Sequence, residues 1–215
     1  MDVEDDLRHA VLHEPTNTIY ITFYFNKGIY TAKLPEIQVT NGNPANLPVV
    51  STALFLYIEG WRFCGVHIDD NNRLFSCDRE NGRIGVWDLN HAGMENPEPL
   101  VTLVKPPSIL SFNPTCATVI KRQSRADLLI VVDYRNDVVY QCDLNVGTTG
   151  SVSTLCVGKV CAKTGSALGQ VRSPCEVKSI PNTGDFVLAD WKNNRAQVAF
   201  VFSFLYLFLL LTLTF

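Results

Sequence analysis

Along this chain, apolar runs of four to seven residues alternate with polar breaks rich in Pro, Asn, Asp and Gly. The breaks fall at 14–17, 69–72, 122–125 and 181–184, and each is followed by a β-rich run, at 18–21, 73–76, 128–132 and 185–188. A second turn follows, then another apolar run, as at 84–87 and 138–142. Runs this short, bounded by residues that supply turn dihedrals and local hydrogen bonds, predict antiparallel hairpins rather than strand–helix–strand units. Each unit therefore has three strands. A less regular fourth strand is predicted between units, at 52–58, 100–104 and 152–157. No segment reads as a helix of any length.

The turns repeat. Phe23 to Asn26, Asp78 to Asn81, Asp133 to Asn136 and Asp190 to Asn193 align, with their asparagines 55, 55 and 57 residues apart. A fixed period means one supersecondary unit copied along the chain. A four-stranded unit that cannot bury both faces alone stacks on its neighbours around an axis, which predicts an all-β fold, a β-propeller. The blades occupy 7–200, between an acidic segment (1–6) and an apolar tail (201–215). Because the fourth unit stops short of its outer strand, the expectation is an open arc of about four blades. Asp78, Asp133 and Asp190 share one column, so each carboxylate is expected to accept hydrogen bonds across the turn that follows it.

The fourth unit, 169–177 with 184–198, carries Pro174, a Gly184 turn, Asp190, Asn193 and Arg195 ahead of an apolar strand. In this it resembles an NHL repeat. The second unit matches at Asp78, Asn81, Arg83 and Ile84. The third matches at Asp133 and Asn136, with Val138 in place of the arginine, and the first has Phe23 where the aspartate belongs. The period is longer than in ordinary NHL repeats, which implies extended loops. The resemblance is to NHL-repeat β-propellers such as the NHL domain of tripartite-motif ligases. It implies four-stranded blades and a loop-lined binding face. Some propellers of this family are lyases with an axial metal centre, but their ligand motifs have no match here. Others bind RNA.

At 215 residues, with 47% apolar and 18% charged residues, the composition is that of a globular chain. The net charge is −3, and the first six residues supply four of the negatives. The start of the chain lacks the pattern of a secretory signal, so the seven cysteines are expected to be reduced and the protein cytoplasmic. Cys64, Cys116 and Cys175 share a repeat column, and buried apolar packing is their expected role. Residues 198–215 hold no charge over 18 positions, which reaches the length of a spanning helix. The tail is expected either to anchor the chain to a membrane or to stand where further blades would be.

No catalytic constellation emerges, and no cofactor or metal is assigned. His9 and His13 have metal-ligand spacing, but a turn begins at Glu14 and Pro15. The main functional expectation is a non-catalytic interaction propeller that presents loop residues Tyr24, Arg79, Glu80, Tyr134, Arg135, Trp191 and Lys192 to a protein ligand. One alternative is a propeller lyase or hydrolase with an axial metal site. The other is RNA binding through Lys121, Arg122 and Arg125, the one basic cluster.

Overall fold

Every apolar run that precedes or follows a polar turn becomes a strand, and the strands assort into four sheets. The computed structural model describes residues 7–23, 27–34, 54–91, 96–122, 126–144, 146, 150–155, 157–161, 163–202 and 205–211. The acidic segment 1–6, Tyr24, Arg125, Cys156 and residues 212–215 lie outside the described residues.

Blade one is β1 (Leu7–His13), β2 (Thr18–Phe23), β3 (Gly28–Lys33) and β4 (Phe55–Glu59), in that spatial order. Blade two is β5 (Phe63–Ile68), β6 (Arg73–Asp78), β7 (Arg83–Asp88) and β8 (Val101–Val104). Blade three has β9 (Pro114–Ile120), β10 (Leu128–Asp133) and β11 (Val138–Asp143), and blade four has β14 (Pro174–Ser179), β15 (Phe186–Asp190) and β16 (Arg195–Phe202). All neighbours within these sets are antiparallel. The protein is a four-bladed β-propeller.

Two expectations need correction. The run at 152–157 is not one outer strand. Its first part, β12 (Ser151–Thr154), pairs in parallel with β8 and adds a fifth strand to blade two. The outer strand of blade three is β13 (Val157–Cys161), antiparallel to β11. The tail does not form a spanning helix either: β17 (Leu205–Leu211) pairs antiparallel with β16 and completes blade four. Among the described residues, no helix is long and apolar enough to cross a membrane. An uninterrupted apolar run suits a buried strand and a helix equally, and periodicity cannot separate them.

Three apolar clusters fill the spaces between blades. Tyr20, Ile29 and Ile58 of blade one meet Phe63, Leu74 and Trp87 of blade two. Phe75, Ile84 and Val86 meet Val119, Leu129, Val131 and Tyr140 of blade three. Ile130, Val132 and Val139 meet Val177, Phe186 and Leu188 of blade four. The fully apolar stretch of β10 now has its reason: odd positions face blade two and even positions face blade four, so neither face meets water. Burying each large side chain contributes roughly 1.5–3 kcal/mol. A polar contact, buried in the first case and part-buried in the others, also pins each interface: Thr22 Oγ1 donates to the Cys64 carbonyl (2.6 Å), Val119 N–H to His67 Nε2 (3.3 Å) and Ser179 N–H to Thr118 Oγ1 (3.1 Å).

The repeated turn is built by its aspartate. Asp78 accepts from Asn81 Nδ2 (2.8 Å) and Arg83 Nε (3.0 Å), and Asp133 from Asn136 Nδ2 (2.8 Å) and Asn113 N–H (3.2 Å). The residue after each asparagine has a left-handed backbone: Gly82 at φ 60°, Asp137 at 52° and Asn194 at 49°. Gly, Asp and Asn are the residues that adopt this conformation most readily.

The first strand of each sheet lies innermost, and β1 packs on β5, β5 on β9, and β9 on β14. The approach of β5 to β9 requires Gly65, since a Cβ there would sit 2.6 Å from the Thr115 carbonyl oxygen. Gly65→Ala is expected to destabilise the protein by about 1–3 kcal/mol through overpacking. Urea unfolding measures this, and an unchanged midpoint would show that the two strands can separate at no cost.

Candidate active site

The inner strands and the turns that follow the second strand of blades two, three and four converge on one end of the axis. There they enclose a cavity of about 570 Å³. Arg8 and His9 come from β1, Cys64 and Gly65 from β5, Thr115 from β9, and Cys175 and Glu176 from β14. The turns after β6, β10 and β15 add Arg79, then Tyr134 and Arg135, then Trp191. All four blades contribute. The lining holds three arginines and one carboxylate, so it carries a net positive charge, and a cleft lined by one sign of charge focuses the field.

Blades one, three and four meet at Glu176. Its Oε1 accepts from His9 Nε2 at 3.1 Å and from the Cys116 thiol at 3.1 Å, and the Lys178 ammonium lies 3.6 Å away. Val66 N–H points at His9 Nδ1 (3.4 Å), which leaves the ring proton on Nε2 to donate to Glu176. Burial pushes the Glu176 carboxyl up, but the hydrogen bond and charge of His9, the Cys116 thiol and Lys178 together outweigh it and hold the group below its usual value. Burial pushes the Cys116 thiol well up, and the Glu176 charge adds to this. Tyr134 and Trp191 stack with ring centres 5.8 Å apart, giving the rim an aromatic plate.

Of the loop residues expected to bind a partner, Arg79, Tyr134, Arg135 and Trp191 are brought together here from three blades. Glu80 instead pairs with Arg62, and Lys192 donates its backbone N–H to the Arg172 carbonyl (3.1 Å). In the basic cluster, Lys121 pairs with Asp70 (3.1 Å) and Arg122 with Asp143. His13 bonds Thr16 and Asn72 and takes no part in a pair with His9. Cys64, Cys77, Cys116, Cys142, Cys161 and Cys175 are all free thiols. Sequence reasoning missed Arg8 and Glu176, weighed His9 only as a partner of His13, and gave Cys116 only a packing role. The signal available was the repeat column of His9, Cys64, Cys116 and Cys175, whose four members are the inner strands.

No family model and no curated protein matches the sequence, so the NHL resemblance rests on the turn residues alone. Solved structures share the fold. A candidate 6-phosphogluconolactonase from Bacteroides fragilis superposes with a TM-score of 0.60 at 13% identity, over 98% of this chain and 56% of its own. The periplasmic gluconolactonase of Pseudomonas aeruginosa gives 0.56 at 12% identity, over 91% and 50%. An auxiliary nutrient binding protein from Bacteroides thetaiotaomicron gives 0.55 at 12%, over 89% and 44%. The chain thus spans about half the length of the propellers it resembles.

These findings overturn the main functional expectation. Lactonase-named propellers are among the structures the fold resembles, and four of the supposed contact residues line a concave cavity instead of an open loop face. The reading as a non-catalytic scaffold is not kept.

Proposed function

We infer that this chain is a hydrolase-type propeller whose axial cavity takes a small anionic cyclic ester, of the sugar-lactone class. The observation that carries this reading is the cavity itself, whose lining holds Arg8, Arg79, Arg135 and a single carboxylate, Glu176, kept below its usual pKa. Guanidinium groups bind phosphate or carboxylate through charge-assisted hydrogen bonds. The Tyr134–Trp191 plate offers a flat apolar surface to a sugar ring. The lactonase names of two similar propellers support the same reaction class, and the activity of a whole propeller is carried to this half-length chain as a proposal.

Chemically, water attacks the lactone carbonyl carbon while Glu176 takes its proton, the acyl–oxygen bond breaks, and the proton passes to the ring oxygen that leaves. An arginine stabilises the oxyanion that forms at the carbonyl. The products are the open hydroxy acid and the unchanged enzyme.

The test is hydrolysis of aldonolactones, with and without a phosphate group, measured against the spontaneous rate. Acceleration is expected, and Arg135→Ala should raise KM for the anionic substrate about 10-fold, as loss of one charged hydrogen bond does. A rate equal to the uncatalysed one for every lactone tried would end this reading.

A further inference from the structure

We propose that His9, Cys116 and Glu176 form a divalent-metal site at the floor of the axial cavity, with zinc the ion it suits best. His9 Nε2, Cys116 Sγ and a Glu176 carboxylate oxygen all lie within 4.8 Å of one another. They come from β1, β9 and β14, three different blades, so the packing of inner strands assembles the set and no single motif does.

Two of the separations are already short: Glu176 Oε1 is 3.1 Å from His9 Nε2 and 3.1 Å from Cys116 Sγ. Zinc bonds of roughly 2.0–2.3 Å in a tetrahedron hold ligand atoms about 3.5 Å apart, so these two separations need to widen by only a few tenths of an ångström. Two protons now hold the centre together, one on the imidazole and one on the thiol, both aimed at the same carboxylate oxygen. An ion would displace the thiol proton and draw all three ligands to itself. Nδ1 would then carry the ring proton, and the long 3.4 Å contact from Val66 N–H opens.

The donor set selects the ion. A thiolate disfavours magnesium and calcium, whereas sulfur, imidazole and carboxylate together suit zinc. Thiolate, carboxylate and a neutral imidazole also balance a divalent charge. Cys116 is wholly buried, while His9 and Glu176 line the cavity. Three protein ligands leave a tetrahedral ion its fourth position, which is the donor count of a catalytic zinc site. With an ion bound Glu176 would be a ligand, so its role as a base belongs to the metal-free chain. Ion binding does not rest on the lactonase reading.

The test uses the full chain, stripped with a chelator and titrated calorimetrically with zinc, then with cobalt(II) followed by absorption. One ion per chain is expected, with a thiolate-to-cobalt charge-transfer band. Affinity should fall by about 100-fold or more in Cys116→Ser and in His9→Gln. His9 is half-buried near the cavity, so its variant stands if the cysteine variant misfolds. Absence of saturable binding overturns the proposal, and so does affinity unchanged in His9→Gln, which would place the ion on Cys64 or Cys175. Neither readout involves a substrate, so failure of lactone hydrolysis and failure of metal binding are separate results.

Discussion

Asp190→Ala is expected to destabilise the protein by about 3–5 kcal/mol, the loss seen when one partner of a buried ion pair is deleted. Asp190 is fully buried and Arg195 is 7% exposed at its side chain, with Nε 2.7 Å from Asp190 Oδ2. The same carboxylate accepts from Asn193 Nδ2 (2.8 Å), Gln197 Nε2 (3.1 Å) and the backbone N–H of Arg172 (2.7 Å). Removing it leaves a buried guanidinium without its counter-charge and the Arg172 N–H without its acceptor, while Asn193 and Gln197 keep the Gly165 and Gln170 carbonyls. The carbonyls of Ala167 and Gln170, which also accept from Arg195, soften the loss without supplying a counter-charge. Asp143, paired with Arg122 but 59% exposed, is the control, and Asp143→Ala should cost less than about 1 kcal/mol. Urea unfolding of both variants decides the matter. A loss below about 1 kcal/mol for Asp190→Ala would mean that the turn does not depend on its aspartate.

Acidification should weaken the fold through His67. Burial first, then the Lys178 ammonium, lowers the pKa of its imidazole from 6.5 to about 4, against smaller opposing effects from Asp70 and Glu176. The geometry agrees, since Nε2 accepts from Val119 N–H across the interface of blades two and three and must be unprotonated to do so. Above pH 6.5 the group is neutral in both states and the full stabilisation is present. As pH falls below that, the unfolded chain binds a proton that the folded chain refuses, and stability drops until about pH 4. At ~1.36 kcal/mol per pH unit, the loss totals about 3 kcal/mol. Carboxylates titrate in the lower part of this range, so the measure is the difference between wild type and His67→Gln. The variant should lose less stability between pH 7 and pH 4. Parallel stability profiles for the two proteins would refute the assignment.

Local chemistry made the repeated turn legible. An aspartate that accepts hydrogen bonds from the asparagine three residues on, followed by Gly, Asp or Asn in a left-handed conformation, is a local arrangement, to which Asn113 and Arg172 each add one backbone N–H from farther along the chain. The same holds for the three hairpin-linked strands of each unit. Outer strands were less readable because long or irregular connections precede them, so local pattern does not specify their partners. Hence the run at 152–157 was split between two blades, its first half pairing in parallel with β8 some fifty residues earlier. The apolar tail misled for a related reason: only its pairing with β16 distinguishes a strand from a helix there.

The candidate site follows the same division. Alternation, turn residues and a period near 55 sufficed for the all-β class, the four units and the column that holds His9, Cys64, Cys116 and Cys175. These features depend on neighbours a few residues apart, or on one unit copied. That Glu176 receives both His9 and Cys116, and that arginines 8, 79 and 135 face the same 570 Å³ space, was decided by tertiary structure. Residues 60 to 167 positions apart meet there because inner strands pack edge to edge around an axis. No local pattern encodes that distance, since it is set by the rotation from each blade to the next.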